Sequence, residues 1–160
     1  MKNPYLTDGR LGDVVAAITV LGTYPFYKLS PARWAKRIGG SEQRADHWRR
    51  VFLEHPEFFR LASDEKFSLV WRRQFRRNYR VDDVHEVDPD YAIDGTTEDL
   101  VSRRPLEPAE VIELVNVAIK LHDRALEQDK TRLWWMPLAA AAVSLVSVLV
   151  GAILSALLSQ

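Results

Sequence analysis

The sequence contains no cysteine and only 2 methionines. Without thiols the chain forms neither disulfides nor thiolate metal sites, which fits a reducing compartment. It also lacks a phosphate-binding loop and a nucleophile elbow. Histidines are few, and their spacing is not that of metal ligands. They are His47, His55, His85 and His122. We therefore expect no enzyme activity, no cofactor and no metal site.

Charge is missing from the last 28 residues, 133–160. Within 138–158, 11 residues are Leu, Val or Ile, and the others are Ala, Ser or Gly. At a rise of about 1.5 Å per residue such a helix is about 31 Å long, which matches the hydrocarbon core of a bilayer. The sequence therefore predicts a transmembrane helix at 133–158 and a tail-anchored protein.

Residues around this segment predict its orientation and its contacts in the lipid bilayer. Basic residues precede the span and none follow it, so we expect a cytoplasmic N-terminus and an external C-terminus. The expected membrane-interface residues are Lys130, Arg132, Trp134 and Trp135. Small residues recur every four positions, a spacing that lets transmembrane helices approach closely. This stripe is Ser147, Gly151, Ser155 and Ser159. It predicts a homo-oligomer.

Helical periodicity predicts three short helices before Pro56. The first covers 10–22 and is closed by Gly22. The second opens at Ser30, a typical N-cap, and stops at a Gly-Gly pair. The third covers 41–54, because the residue before a proline disfavours helical geometry.

A hairpin follows these helices. Segments 58–62 and 67–72 flank a polar turn at 63–66, and the second segment alternates with the period of a half-buried strand. This alternation places Phe67 and Trp71 on the same, buried face. The segments therefore predict a two-stranded antiparallel hairpin.

The order of elements over residues 10–75 is helix, short strand, helix, helix and hairpin. This order resembles a winged helix-turn-helix. The resemblance implies an α+β, mainly α, domain at 1–80. Winged helices bind nucleic acids or proteins, so both partner classes stay open.

Charge is distributed unevenly along the chain. Residues 1–80 contain 16 Lys and Arg against 8 Asp and Glu, whereas residues 81–132 contain 6 against 14. Segment 81–106 is predicted to be an acidic linker without regular structure. Segment 107–132 is predicted to be an amphipathic, membrane-proximal helix beginning at Pro108. Its polar side is acidic and its apolar face is wide, so we expect it to pack on protein.

Five arginines crowd residues 72–80, with aromatic residues between them. Guanidinium groups neutralise phosphates and stack on bases, which indicates an anionic ligand or a nucleic acid. Exposed residues of the third helix resemble those of a recognition helix. The candidate contacts are Gln43, Arg44, His47, Arg50, Lys66, Arg72, Arg73, Arg76, Arg77 and Arg80. The alternative is a basic surface covered by the acidic linker.

These features support one leading hypothesis and two alternatives. The leading one is a non-enzymatic, tail-anchored adaptor whose winged-helix-like domain binds a protein partner and whose anchor self-associates. The first alternative is a membrane-tethered regulator that binds nucleic acid through the candidate contacts. The second is an oligomeric pore-forming membrane effector.

Overall fold

Helices and two small antiparallel sheets together make the chain an α+β protein. The structure is a computed structural model, and it describes residues 3–81, 101–132, 138–141 and 143–144. The chain divides into two units, Met1–His122 and Asp123–Gln160. The arginine cluster, the hairpin and the groove described below lie in the first unit.

The three predicted helices are observed. They are α1 (Arg10–Thr23), α2 (Pro31–Gly39) and α3 (Ala45–Glu54). The side chain of Ser30 accepts the backbone N–H of Arg33, and Gly40 ends α2 with a φ of 74°. Such a φ suits glycine, which has no Cβ to clash. The third helix begins later than predicted, because residues Glu42–Arg44 form a 3-10 turn.

The larger sheet has three strands. They are β1 (Lys28–Leu29), β2 (Phe59–Leu61) and β3 (Phe67–Leu69). The strand order is β1-β3-β2, and both pairs are antiparallel. The β2–β3 hairpin confirms the predicted pair of strands. Its aromatic residues join the buried side chains of α1, α2 and α3 in one hydrophobic core.

The second strand of the hairpin ends earlier than predicted. Val70 has helical backbone angles (φ −57°, ψ −44°), and Trp71–Gln74 form a 3-10 turn. This change of direction reverses the predicted faces. Arg72 is 0% exposed and Trp71 is 42% exposed. The prediction that Trp71 is buried is therefore wrong, because the alternation stops where the strand stops.

Residues 101–106 are structured, although the sequence predicted an irregular linker. Strand β5 (Val101–Ser102) pairs with β4 (Tyr79–Arg80) in a two-stranded antiparallel sheet. Leu106 is buried, and its N–H donates to the carbonyl oxygen of Gly22 at 2.8 Å. The acidic residues of this segment, from Asp82 to Asp99, lie outside the described residues.

The last long helix, α4, covers Pro108–Arg132, as predicted. Its residues Val111, Leu114 and Ala118 join the hydrophobic core. A Cβ on Gly22 would lie 3.3 Å from Leu106 Cδ1 and 3.4 Å from Val111 Cγ2. Gly22 therefore permits close approach of this segment to α1, and it lies within α1 instead of closing it.

The prediction of a tail-anchored, single-pass protein with a cytoplasmic N-terminus and an external C-terminus is corrected here. Among residues 3–81, 101–132, 138–141 and 143–144, none of the helices combines the length and the apolar character of a membrane span. Helix α4 has 25 residues, but charged side chains interrupt it, whereas a span needs about 20 consecutive apolar residues. Apart from its residues 138–141 and 143–144, the predicted span lies outside the described residues.

Candidate functional site

Arg72 is a buried structural residue, although the sequence placed it among the ligand contacts. Its side chain lies in the first unit with 0% exposure. The guanidinium donates to six backbone carbonyl oxygens, those of Leu21, Tyr24, Pro25, Phe26, Arg103 and Arg104. These bonds join the end of α1 and the following loop to the 103–104 segment. Arg72 is therefore removed from the candidate ligand contacts.

The electrostatics of Arg72 agree with this structural role. Burial lowers its pKa from 12.5 to about 10, although Tyr79 partly opposes this shift. A charged group in a protein interior requires polar partners. Here oriented carbonyl dipoles supply them, and the Arg72 cation therefore remains protonated at neutral pH.

The neighbouring arginines also contact the chain itself. Arg73 Nη1 donates to Ser68 Oγ at 3.4 Å, and Arg77 Nε donates to the carbonyl oxygen of Val101 at 2.7 Å. Arg73 and Arg77 are exposed, as are Arg76 and Arg80. The cluster thus supports the 101–104 segment as well as forming a basic surface.

The structure separates the predicted recognition-helix residues into two groups. Gln43, Arg44 and Arg50 are exposed, and the Arg44 guanidinium lies 5.9 Å from the centre of the Trp48 ring. His47 instead faces α1, where its Nε2 lies 3.1 Å from Asp13 Oδ2 without the alignment of a hydrogen bond. His47 therefore belongs to the contact between α1 and α3, whereas Gln43, Arg44 and Arg50 are exposed.

Lys66 is the last residue of the hairpin turn and lies beside a small cleft. Its neighbours there include Lys28 and Arg77. Asp64 compensates part of this charge, because its Oδ2 lies 2.8 Å from Lys28 Nζ and 3.9 Å from Lys66 Nζ. Burial raises the pKa of Asp64, but the hydrogen bond and charge of Lys28, together with backbone hydrogen bonds, lower it overall.

An apolar groove, which we call the Trp71 groove, lies between the hairpin exit and α4. Its volume is about 170 Å³. Val70 and Trp71 line it from the hairpin side, and Val117 and Leu121 line it from α4. Val70, Trp71 and Val117 are 38%, 42% and 45% exposed. Exposed large apolar residues around one concavity are typical of a binding surface.

A polar cluster lies at one edge of the Trp71 groove. Glu57 lines the groove, and its Oε1 accepts hydrogen bonds from the Tyr5 hydroxyl and from His55 Nδ1, the latter at 3.0 Å. Burial raises the pKa of Glu57, but the bonds from His55 and Tyr5 outweigh it, so the pKa is lowered overall. Glu57 is therefore ionised at neutral pH.

His122 extends this cluster to α4. Its Nδ1 lies 3.0 Å from the backbone carbonyl oxygen of Tyr5. Since a carbonyl oxygen only accepts, Nδ1 carries the proton. The Tyr5 ring also lies edge-on to His55, with centroids 4.5 Å apart. The N-terminal turn is thereby fixed between the α3–β2 corner and α4.

The remaining predicted site residues belong to the C-terminal segment. Lys130 and Arg132 lie in α4. Outside the described residues lie Trp134, Trp135, Ser147, Gly151, Ser155 and Ser159.

Comparison of the chain with family models, curated proteins and solved structures gives no match.

Sequence reasoning missed the Trp71 groove. The available signal was the segment from His55 to Arg60, whose two phenylalanines follow a His-Pro-Glu triplet. Two of its residues, Glu57 and Phe58, line the groove. The exposure of Trp71 depends on the backbone angles of Val70, which hydrophobic alternation does not report.

Proposed function

We propose that this chain is a non-enzymatic protein-interaction module built on a winged-helix-like domain. The observed order of three helices and a hairpin, with sheet order β1-β3-β2, supports this description of the fold. Folds of this kind bind both proteins and nucleic acids, so the partner class has to be inferred from the surface residues.

The Trp71 groove is the observation that carries the proposal. Its apolar lining suits a large aliphatic or aromatic side chain presented by a partner protein. Val117 and Trp71 remain substantially exposed even though α4 already packs on the core. Filling the groove would remove their apolar surface from water, which stabilises a complex by about 25 cal/mol per Å² before the cost of association.

The arrangement of the basic residues favours protein over nucleic acid. Arg72 is buried, and Arg73 and Arg77 donate hydrogen bonds to other parts of the first unit. Phosphate contacts require exposed cations that follow a backbone. Acidic Asp64 lies between the two lysines of the hairpin cleft, which weakens that cleft as a phosphate site.

Selection of peptides from a displayed random library against the full-length chain tests the proposal. We expect enrichment of peptides with a large apolar side chain. Val117→Asp, which places a charge in the groove, should abolish this enrichment. Ile112→Asp is the matched control, because Ile112 is 60% exposed on the same helix and does not line the groove.

Binding of a short labelled DNA duplex and of a single-stranded RNA is measured in parallel. At about 0.15 M salt we expect no micromolar affinity for either. Micromolar binding that falls steeply with salt, or enrichment of the same peptides by the Val117→Asp variant, would contradict a protein-binding groove.

A further inference from the structure

Glu57 is the charged residue of the Trp71 groove, and no Lys or Arg in the described part of the chain forms an ion pair with it. Its ion-pairing neighbour is His55, whose side chain is fully buried and so leaves the exposed side of the carboxylate open. Burial raises the pKa of Glu57, but the hydrogen bonds that it accepts lower this pKa overall, and the carboxylate is therefore negatively charged at neutral pH.

The second oxygen of Glu57, Oε2, accepts no side-chain hydrogen bond from the described residues. Tyr5 and His55 both donate to Oε1. The Glu57 side chain is 35% exposed, so a ligand in the groove can reach it. Because two donors hold Oε1, the carboxylate is oriented before any ligand binds. Such preorganisation lowers the cost of binding.

Charge complementarity identifies the occupant. We infer that the partner segment carries a Lys or Arg beside its apolar anchor, and that this cation binds Glu57 while the anchor fills the Trp71 groove. This inference rests on the proposed function and names the chemistry of the partner. A carboxylate held at the edge of an apolar concavity can form a strong, charge-assisted hydrogen bond with a Lys or Arg of the partner. An acidic neighbour would instead be repelled, which gives the groove its selectivity.

The test uses the peptides enriched in the library selection. Sequencing should show Lys or Arg next to the apolar anchor. Selection with the Glu57→Gln variant should keep the anchor and lose the basic preference, because glutamine retains an oxygen for Tyr5 and His55 without the charge. Circular dichroism shows whether each variant is folded.

A thermodynamic cycle then locates the cation. One enriched peptide and its Lys→Met version are titrated against the wild-type chain and the Glu57→Gln variant. We expect the peptide change to weaken binding about two- to fivefold for the wild type and to have little effect for the variant. Equal losses in both proteins would place the cation elsewhere and overturn the inference.

A salt titration provides a measurement that needs no variant. The wild-type affinity for the Lys peptide should fall as salt rises, whereas its affinity for the Met peptide should change little. Apolar enrichment without basic preference would overturn this inference and leave the groove intact. Absence of any enrichment sensitive to Val117→Asp would instead overturn the proposed function.

Discussion

Replacing Arg72 by methionine should severely destabilise the first unit. Methionine fills similar space but donates no hydrogen bond. All six acceptors would lose a hydrogen bond, and the bonds to the carbonyl oxygens of Leu21 and Phe26 are buried. Loss of a buried hydrogen-bond partner costs about 1–3 kcal/mol. At the part-buried acceptors water can replace the Arg72 donor, so these bonds add less to the loss of stability. We therefore expect the free energy of unfolding to fall by about 3–5 kcal/mol in total.

Urea unfolding of the full chain, followed by tryptophan fluorescence, measures this loss. The matched control is Arg76→Met, at an exposed position of the same arginine cluster, where we expect a change below about 0.5 kcal/mol. Arg72→Lys should be intermediate, because one ammonium group cannot reach all six carbonyl oxygens. A free energy of unfolding for Arg72→Met within about 1 kcal/mol of the wild type would refute the structural role.

Three further predictions concern the polar cluster and the contact between α1 and the 106–111 segment. The pKa of Glu57 is lowered from its ordinary 4.5, so the stability it contributes is present above that pH and is lost as the pH falls. Glu57→Gln should flatten the acid side of the urea-midpoint profile, and an unchanged profile would contradict this. Burial raises the pKa of Tyr5 above its ordinary 10.0, so stability should fall as the pH rises past that value. Tyr5→Phe should remove that alkaline decline, and its persistence would assign it to another group. Gly22→Val should cost about 1–3 kcal/mol by displacing Leu106 and Val111, and a wild-type denaturation midpoint would show that the contact can relax.

Local signals predicted much of the fold. A serine N-cap with proline after it determines the start of α2, and helical periodicity finds α1 and α4 within a residue or two. These features depend on neighbouring residues in the chain, which is why sequence reasoning reaches them. The α1 prediction failed in one detail, since Gly22 is needed for a contact with a segment more than 80 residues away.

The candidate site was less predictable, because it depends on contacts between distant segments. Arg72 looks like one of five equivalent arginines, and its burial follows from carbonyl groups of residues 21–26 and 103–104. Likewise Glu57 is positioned by Tyr5, which lies 52 positions away in the chain. No periodicity encodes such pairs. The membrane-span prediction had a different basis, since it rested on the length, the apolar composition and the flanking residues of 133–158.

Chemical-shift mapping of the full-length chain with an enriched peptide tests the protein-binding groove most directly. The account predicts the largest changes at the Trp71 indole N–H and at the methyl groups of Val70 and Val117. Exposed arginines that do not line the groove, such as Arg50 and Arg76, should change little. Changes confined to such arginines, with the three groove residues unaffected, would contradict the account.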